Sequence, residues 1–251
     1  MMWKRYYGLF FSLCLLCSSA SSDNTFKISV IDWCPFICPD TPHKPGILVE
    51  YVQAIYKGSG YKIKMDAYPW SRALVYGLDG TSDALLAPSK HEAPDMVFPK
   101  FEIFLQTLCF FTVTENPWKY KGVKSLTNKQ IIYPQDALPE ILVKNNQHAT
   151  FIPKAYTKDF RRQVSSMLQS NRIEIALVNN YTMDRYLKLN NLSTTIKSAG
   201  CLSSEKIYLA FTPNPNSKSH INRLLKIYNE RIEILIEQQF LKGLIAKYQV
   251  Q

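Results

Sequence analysis

The sequence predicts an α/β protein made of two successive units, each an open sheet flanked by helices. Two patterns carry that reading. Apolar residues alternate with polar ones over short runs rich in β-branched side chains, as half-buried strands require; between these runs they recur at helical spacing. The order strand, helix, strand, helix, strand then occurs twice within 251 residues, of which 46% are apolar and 20% charged. That composition suits one or two packed domains rather than a disordered or fibrous chain.

Taken in order, "TFKISVIDW" alternates Phe26, Ile28 and Val30 against Lys27 and Ser29 and reads as a strand ending near Asp32. "GILVEYVQAIYKGSG" carries Leu48, Val49, Val52, Ile55 and Tyr56 at helical spacing and stops at Gly58 and Gly60. "YKIKMDAY" alternates again, "PWSRALVYGLDG" is a second short helix, and "SDALLAP" a third strand. After "FLQTLCFFTV" the second unit follows: strand "KQIIYP", helix "DALPEILVKN", strand "ATFIP", helix "TKDFRRQVSSMLQSN", strand "RIEIALV" and helix "YTMDRYLKL". Residues 217–248 read as one or two closing helices. Each unit is expected to have parallel strands with right-handed crossovers. No low-complexity linker divides the units, so "TLCFFTV" and "IYLAFTP" are the expected crossings between them.

Residues 1–22 have the layout of a secretory signal peptide: Lys4 and Arg5, the apolar run "GLFFSLCLLC", then small residues around Ala20 and Ser22. The run is shorter than the roughly 20 apolar residues a spanning helix needs. Leu13 and Leu16 precede Cys14 and Cys17, where a lipid anchor would want a small residue. The expectation is a soluble, exported, periplasmic chain.

Removal of that segment leaves Cys34, Cys38, Cys109 and Cys201, an even number suited to an oxidising compartment. Three pairings are possible, and the closeness of the first two favours Cys34 with Cys38 and Cys109 with Cys201. Zinc is disfavoured, because His43 and His91 stand alone and no second close cysteine pair exists. No metal or other cofactor is expected.

The chain carries a net charge of +10, which becomes +8 once Lys4 and Arg5 are gone. Its basic residues are dispersed, with Arg161 and Arg162 the densest cluster, and no basic run interleaves with aromatics. Nucleic acid is therefore not an expected partner.

Ligands of open α/β sheets bind beyond the carboxyl ends of the strands. In the first unit those ends carry residues 32–36, 68–72 and 87–90; in the second they carry 133–136, 153–157, Asn179 and Asn180. Trp70 heads the apolar stripe of its helix and could be core or cleft wall. Arg72 falls off that stripe, in a first turn where the macrodipole disfavours a cation, which points to some use for it.

The "DWCPF" loop before "GILVEYVQAIY", the stretch "YPWSRALVYGLDGTSDALLAP", "APDMVFP", "NPWKYKGVKSLTNKQI", and "RIEIALVNN" before "IYLAF" together resemble the extracellular solute-binding proteins of family 3. That group includes the polar amino-acid receptors of ABC transporters. The resemblance covers nearly the whole mature chain and implies a type II periplasmic-binding-protein clamshell: two open α/β sheets joined by two crossing hinge strands. The expected division is 1–22 signal peptide, 23–107 plus 213–251 first lobe, and 108–212 second lobe.

It further implies a ligand trapped between the lobes. Trp33 and Phe36 would form one wall, Trp70 an aromatic platform, and Ala87, Pro88 and Ser89 a turn offering backbone groups. By strand-end position rather than by the resemblance, Arg72 would hold a polar or anionic part of the ligand, with Tyr133, Gln135 and Asn179 facing it from the second lobe. An inner-membrane permease or a membrane sensor is the implied partner, and the chain is expected to act as a monomer.

Two departures bear on the ligand. Members of the group usually have an arginine shortly after the third strand to pair with a ligand carboxylate, and "SKHEAPDMVFP" has none. The aspartate usual after the late strand is here the neutral Asn179. An α-amino acid held at both charged ends is therefore not expected. Nor is catalysis, since Asp32, Glu50, Asp95 and Asp136 form no recognisable pair and read as caps or surface carboxylates.

Overall fold

The computed structural model describes residues 24–135, 137–144 and 149–249. The expected signal peptide at 1–22 and Asp136 lie outside the described residues.

The first lobe begins with β1 (Thr25–Val30), α1 (Ile47–Tyr56), β2 (Lys62–Ala67), α2 (Trp70–Asp79), β3 (Ala84–Ser89) and the short β4 (Phe104–Gln106). The chain then crosses through Thr107 into the second lobe: β5 (Leu108–Val113), β6 (Gln130–Pro134), α3 (Glu140–Val143), β7 (Thr150–Lys154), α4 (Phe160–Gln169), β8 (Ile175–Asn179), α5 (Asn180–Leu189) and β9 (Ile196–Cys201). It returns through residues 202–204 into β10 (Glu205–Phe211), α6 (Lys218–Glu237) and α7 (Phe240–Gln249).

The sheet orders are β2-β1-β3-β10-β4 and β7-β6-β8-β5-β9. β3 lies inside the first sheet and every residue of its apolar run is buried. Strands covered on both faces read as continuous apolar stretches for this reason. On one face α1, α6 and α7 pack Tyr51, Val52, Tyr228, Ile232 and Leu244 against Phe26, Ile28 and Phe211. On the other, Ala73, Leu74 and Leu78 of α2 meet Leu85, Met96 and Ala210. Gly77 permits that approach, because a Cβ there would come within 2.9 Å of Met96 Cε and 3.2 Å of Leu85 Cβ. In the second sheet α4 and α5 cover one face with Phe160, Val164, Met183 and Leu187, while Trp118, Tyr120 and Leu142 cover the other.

Two expectations need correction. The sheets are mixed: β10 runs antiparallel to β3 and β4, and β5 antiparallel to β8 and β9. A strand that enters from the opposite lobe must run against the strands that started in its own. The return crossing also comes earlier than residue 212. "IYLAFTP" belongs to β10 in the first sheet, where Leu209, Ala210 and Phe211 are buried, so the second lobe ends near Cys201.

Both disulfides pair as expected, Cys34 with Cys38 and Cys109 with Cys201. The second lies between directly opposed residues of β5 and β9, just inside the second lobe from the crossings. The crossings themselves touch, Thr107 Oγ1 lying 2.8 Å from Ser204 Oγ.

Elsewhere the lobes meet across the cleft. Lys158 pairs with Asp40, and His91 Nδ1 lies 4.0 Å from Glu140 Oε2. The Phe36 and Tyr181 rings are 5.1 Å apart, and Arg185 Nη1 donates to the Tyr248 carbonyl at 2.8 Å. Among the described residues no helix is long and apolar enough to cross a membrane.

Candidate functional site

Between the lobes, beyond the carboxyl ends of the parallel strands, lies a cavity of about 380 Å³. That is near the lower end of the roughly 300–1,000 Å³ usual for small-molecule sites. Both lobes line it, along with Gln106, Leu108 and Glu205 beside the crossings.

The first wall comes from the end of β1. Asp32 and Trp33 face the cavity. Trp33 is held by a tight loop in which Trp33 N donates to the Ile37 carbonyl at 2.8 Å and the Cys34–Cys38 disulfide ties the ends together. The loop sits on the start of α1, whose Ile47 and Leu48 amides donate to the carbonyls of Pro35 and Phe36 at 2.9 Å each. Free first-turn amides thus become the loop's anchor. Gly46 makes the approach possible: φ is +117°, and a Cβ there would lie 2.3 Å from the Phe36 oxygen. Phe36 itself is fully buried behind Trp33, with ring centroids 4.5 Å apart, and does not line the cavity.

The second wall is aromatic. Tyr68, Pro69 and Trp70 lead from β2 into α2 and all line the cavity. Trp70 is half-buried and also packs on the cluster around Ala73 and Leu85, so core and cleft readings are both realised in one side chain. Arg72 is exposed and not part of the lining. Side chains two apart on a helix point to different sides, so an α2 that turns Trp70 inward carries Arg72 away.

The third contribution comes from the end of β3. Ala87 has φ +75°, a left-handed conformation costly for a residue with a Cβ, and the pairing of β3 with β10 shifts register here. Ala87 and Ser89 line the cavity; Pro88 between them is buried and does not. Ser89 and Glu92 bond reciprocally, Ser89 N donating to Glu92 Oε2 at 2.8 Å and Glu92 N to Ser89 Oγ at 3.3 Å. This is a capping-box arrangement. Burial pushes the Glu92 carboxyl up to about 7, the Ser89 hydrogen bonds oppose the rise, and the charge of Glu205 adds to it.

Gln106 at the end of β4 and Glu205 at the start of β10, either side of the crossings, also line the cavity, with Gln106 Nε2 3.5 Å from Glu205 Oε2. From the second lobe come Pro134, Gln135, Leu138, Tyr156, Asn179 and Thr182. Tyr156 accepts from Arg161 Nη1 at 2.7 Å; burial raises its phenol, Arg161 opposes the rise, and Asp32 adds to it from the facing lobe. Asn179 is 6% exposed and caps α5, its Oδ1 accepting from Thr182 N at 3.1 Å. One lone pair of Oδ1 is thereby used, and its Nδ2 has no protein acceptor among the described residues. Tyr133 lies off the lining, packed edge-on against Phe151.

Of the expected ligand-facing residues the structure brings together Trp33, Trp70, Ala87, Ser89, Gln135 and Asn179, and leaves out Phe36, Arg72, Pro88 and Tyr133. Asp95 and Glu50 also lie off the lining; Glu50 holds Lys247 at 2.7 Å and accepts from Tyr248 Oη at 2.7 Å. Lys90 extends over Phe98 and Tyr208, while its neighbour His91 lines the cavity. Sequence reasoning missed Glu92 and Glu205. The spacing of Ser89 and Glu92 is itself a capping-box signal, whereas nothing local marks Glu205.

This arrangement of sheets, crossings and cleft recurs in solved structures. A histidine kinase sensor domain with similarity to periplasmic binding proteins is 18% identical, with 89% of this chain and 95% of that chain covered and a TM-score of 0.69. The amino-acid ABC-transporter substrate-binding protein AbpA from Streptococcus pneumoniae, bound to L-arginine, is 14% identical over 91% and 95% of the two chains, with a TM-score of 0.71. The chain has the two-lobed periplasmic-binding-protein fold. The GluR0 ligand-binding core from Nostoc punctiforme, in complex with L-glutamate, shares it at 14% identity, 89% and 98% coverage and a TM-score of 0.65. No protein-family model matches the sequence, and no curated protein does.

Proposed function

We propose that this protein is a solute-binding protein: it closes two lobes around one small molecule and hands the closed form, or its ligand, to a membrane partner. The observation that carries the reading is the cavity of about 380 Å³, walled by both lobes beside the fold's two crossings. Such a site exists only when the lobes meet, so ligand and closure are thermodynamically coupled. The work of the site is binding rather than catalysis.

Import through an ABC-type permease is the main reading, supported by the fold shared with a transporter substrate-binding protein. Sensing is the second, supported by the fold shared with a kinase sensor domain. On either reading we take residues 1–22 as an export signal and the remainder as a periplasmic monomer. The ligand is not an α-amino acid held at both ends, because no arginine or lysine lines the described cavity to meet its carboxylate.

A thermal-shift screen of metabolites against ligand-stripped protein tests the reading. A ligand at 100 times its Kd adds about 2.7 kcal/mol, and a chain of this size gains roughly 5–10 °C from that. A panel of cations, anions and neutral solutes that leaves the melting temperature unmoved throughout would refute solute capture.

A further inference from the structure

We propose that the cleft selects an organic cation without a carboxylate: a protonated amine seated at Glu92 and Glu205, carrying an apolar or aromatic body against Trp70, Tyr68 and Trp33. The inference rests on the solute-capture reading and names the class of solute.

Charge is the first ground. The protein has 30 lysines and arginines against 20 acidic residues, yet the described cavity lining holds Asp32, Glu92 and Glu205 and no lysine or arginine. Dispersed basic composition would give the opposite sign.

The second ground is that the two inner carboxylates lack a cation. Several carboxylates elsewhere are paired, Asp40 with Lys158, Glu50 with Lys247, Glu102 with Lys206 and Glu174 with Lys129. Among the described residues neither Glu92 nor Glu205 has a salt-bridge partner. Asp32 differs, since the Lys158 ammonium feels its charge. Two carboxylates lining one cavity repel, and an ammonium beside them removes the repulsion while gaining charge-assisted hydrogen bonds. Burial, the larger cause, and the charge of Glu205 both push the Glu92 carboxyl up, and an ammonium beside it offsets both.

The remaining polar groups fix what the rest of the ligand can be. Asn179 lines the cavity with an amide whose Nδ2 can donate to a hydroxyl or carbonyl oxygen. A carboxylate in this cavity would find neutral donors and His91 but no lysine or arginine, and would face three acids. Trp70, Tyr68 and Trp33, with Pro69 and Leu138, supply apolar and π surface, which also attracts cations.

The test is calorimetry on the disulfide-bonded protein with matched probes: phenethylamine against L-phenylalanine, agmatine against L-arginine, and phenylacetate as the anion. At least one amine should bind ten times or more tighter than its own amino acid, and phenylacetate should not bind. Glu205→Gln should weaken that amine 10- to 100-fold. Glu92→Gln, which keeps an oxygen for Ser89 N, should do likewise; melting curves confirm that both variants are folded.

At pH 7 the amine should also displace part of a proton from Glu92, seen as a binding heat that varies with the buffer's ionisation heat. The groups facing Glu92 are Glu205 from β10, Ser89 from β3, and its neighbour His91 on the same wall. An amino acid or phenylacetate that binds as tightly as the amine, or a Glu205→Gln protein with unchanged affinity, would overturn the cation assignment and leave solute capture standing. Failure of every probe here and in the metabolite screen would overturn both.

Discussion

Glu92→Gln should stabilise the empty protein at alkaline pH and leave it unchanged in acid. Burial and the neighbouring Glu205 raise the Glu92 carboxyl from 4.5 to about 7. A carboxyl whose folded value is raised contributes stability that is complete below the unfolded value near 4.5. That stability is lost as pH climbs through 7, because the folded protein must then ionise a group it disfavours. At 1.36 kcal/mol per pH unit the full loss is about 3 kcal/mol by pH 8. Glutamine avoids the charge and can still accept from Ser89 N, now 2.8 Å from Glu92 Oε2, but through a weaker neutral bond, so the net gain should be about 2 kcal/mol. Urea unfolding of both proteins at pH 4, 6 and 8 measures it. The two stabilities should coincide at pH 4 and separate progressively above pH 5. Parallel profiles, or a variant weaker than the parent at pH 8, would show that Glu92 carries no stored repulsion.

Other residues give sharper contrasts. Trp70→Ala should cost about 1–2 kcal/mol of stability, less than the 3–5 typical of a fully buried aromatic, while abolishing ligand binding, because the ring is shared between core and cavity. Arg72→Ala should leave affinity and melting temperature within error, since its side chain is exposed and off the lining; a tenfold weaker Kd would return it to the site. Gly46→Ala should unfold the protein or lower its stability by about 3 kcal/mol or more, since a Cβ would strike the Phe36 carbonyl, and thermal melts read this directly. Replacing Cys109 and Cys201 together by Ala, closing off a separation of 92 residues, should cost about 2–4 kcal/mol by urea unfolding and leave ligand affinity within threefold.

Much of this fold was readable because its elements obey simple periods. "TFKISV" alternates and forms β1, "ILVEYVQAIY" repeats at helical spacing and forms α1, and the unbroken apolar "ALLAPS" is the buried β3. Strand ends pointed to Trp33, Trp70, Ala87, Ser89, Gln135 and Asn179, all of which line the cavity. Direction around a helix was the weak point. Leaving the apolar stripe told that Arg72 is not core, but solvent and cleft both lie off the stripe. Phe36 and Tyr133 failed similarly: an aromatic beside a strand end can back the wall instead of forming it.

Glu205 was illegible for another reason. It becomes part of the cavity only when β10 is placed antiparallel beside β3 and β4, and no local pattern states which sheet a crossing strand joins. Glu92 was legible in principle. Its spacing from Ser89 is a capping box, and the box fixes where its carboxylate goes.

The central claim is that a solute brings the lobes together. Small-angle X-ray scattering on ligand-stripped protein, before and after addition of the strongest binder from the thermal screen, measures this most directly. A closed cleft held by Lys158 with Asp40 and by His91 near Glu140 predicts a smaller radius of gyration when the solute is bound, with a profile matching the closed structure. The same binder should leave the Trp70→Ala profile unchanged. Saturating binding to the wild-type protein with no change in its radius of gyration would contradict the account.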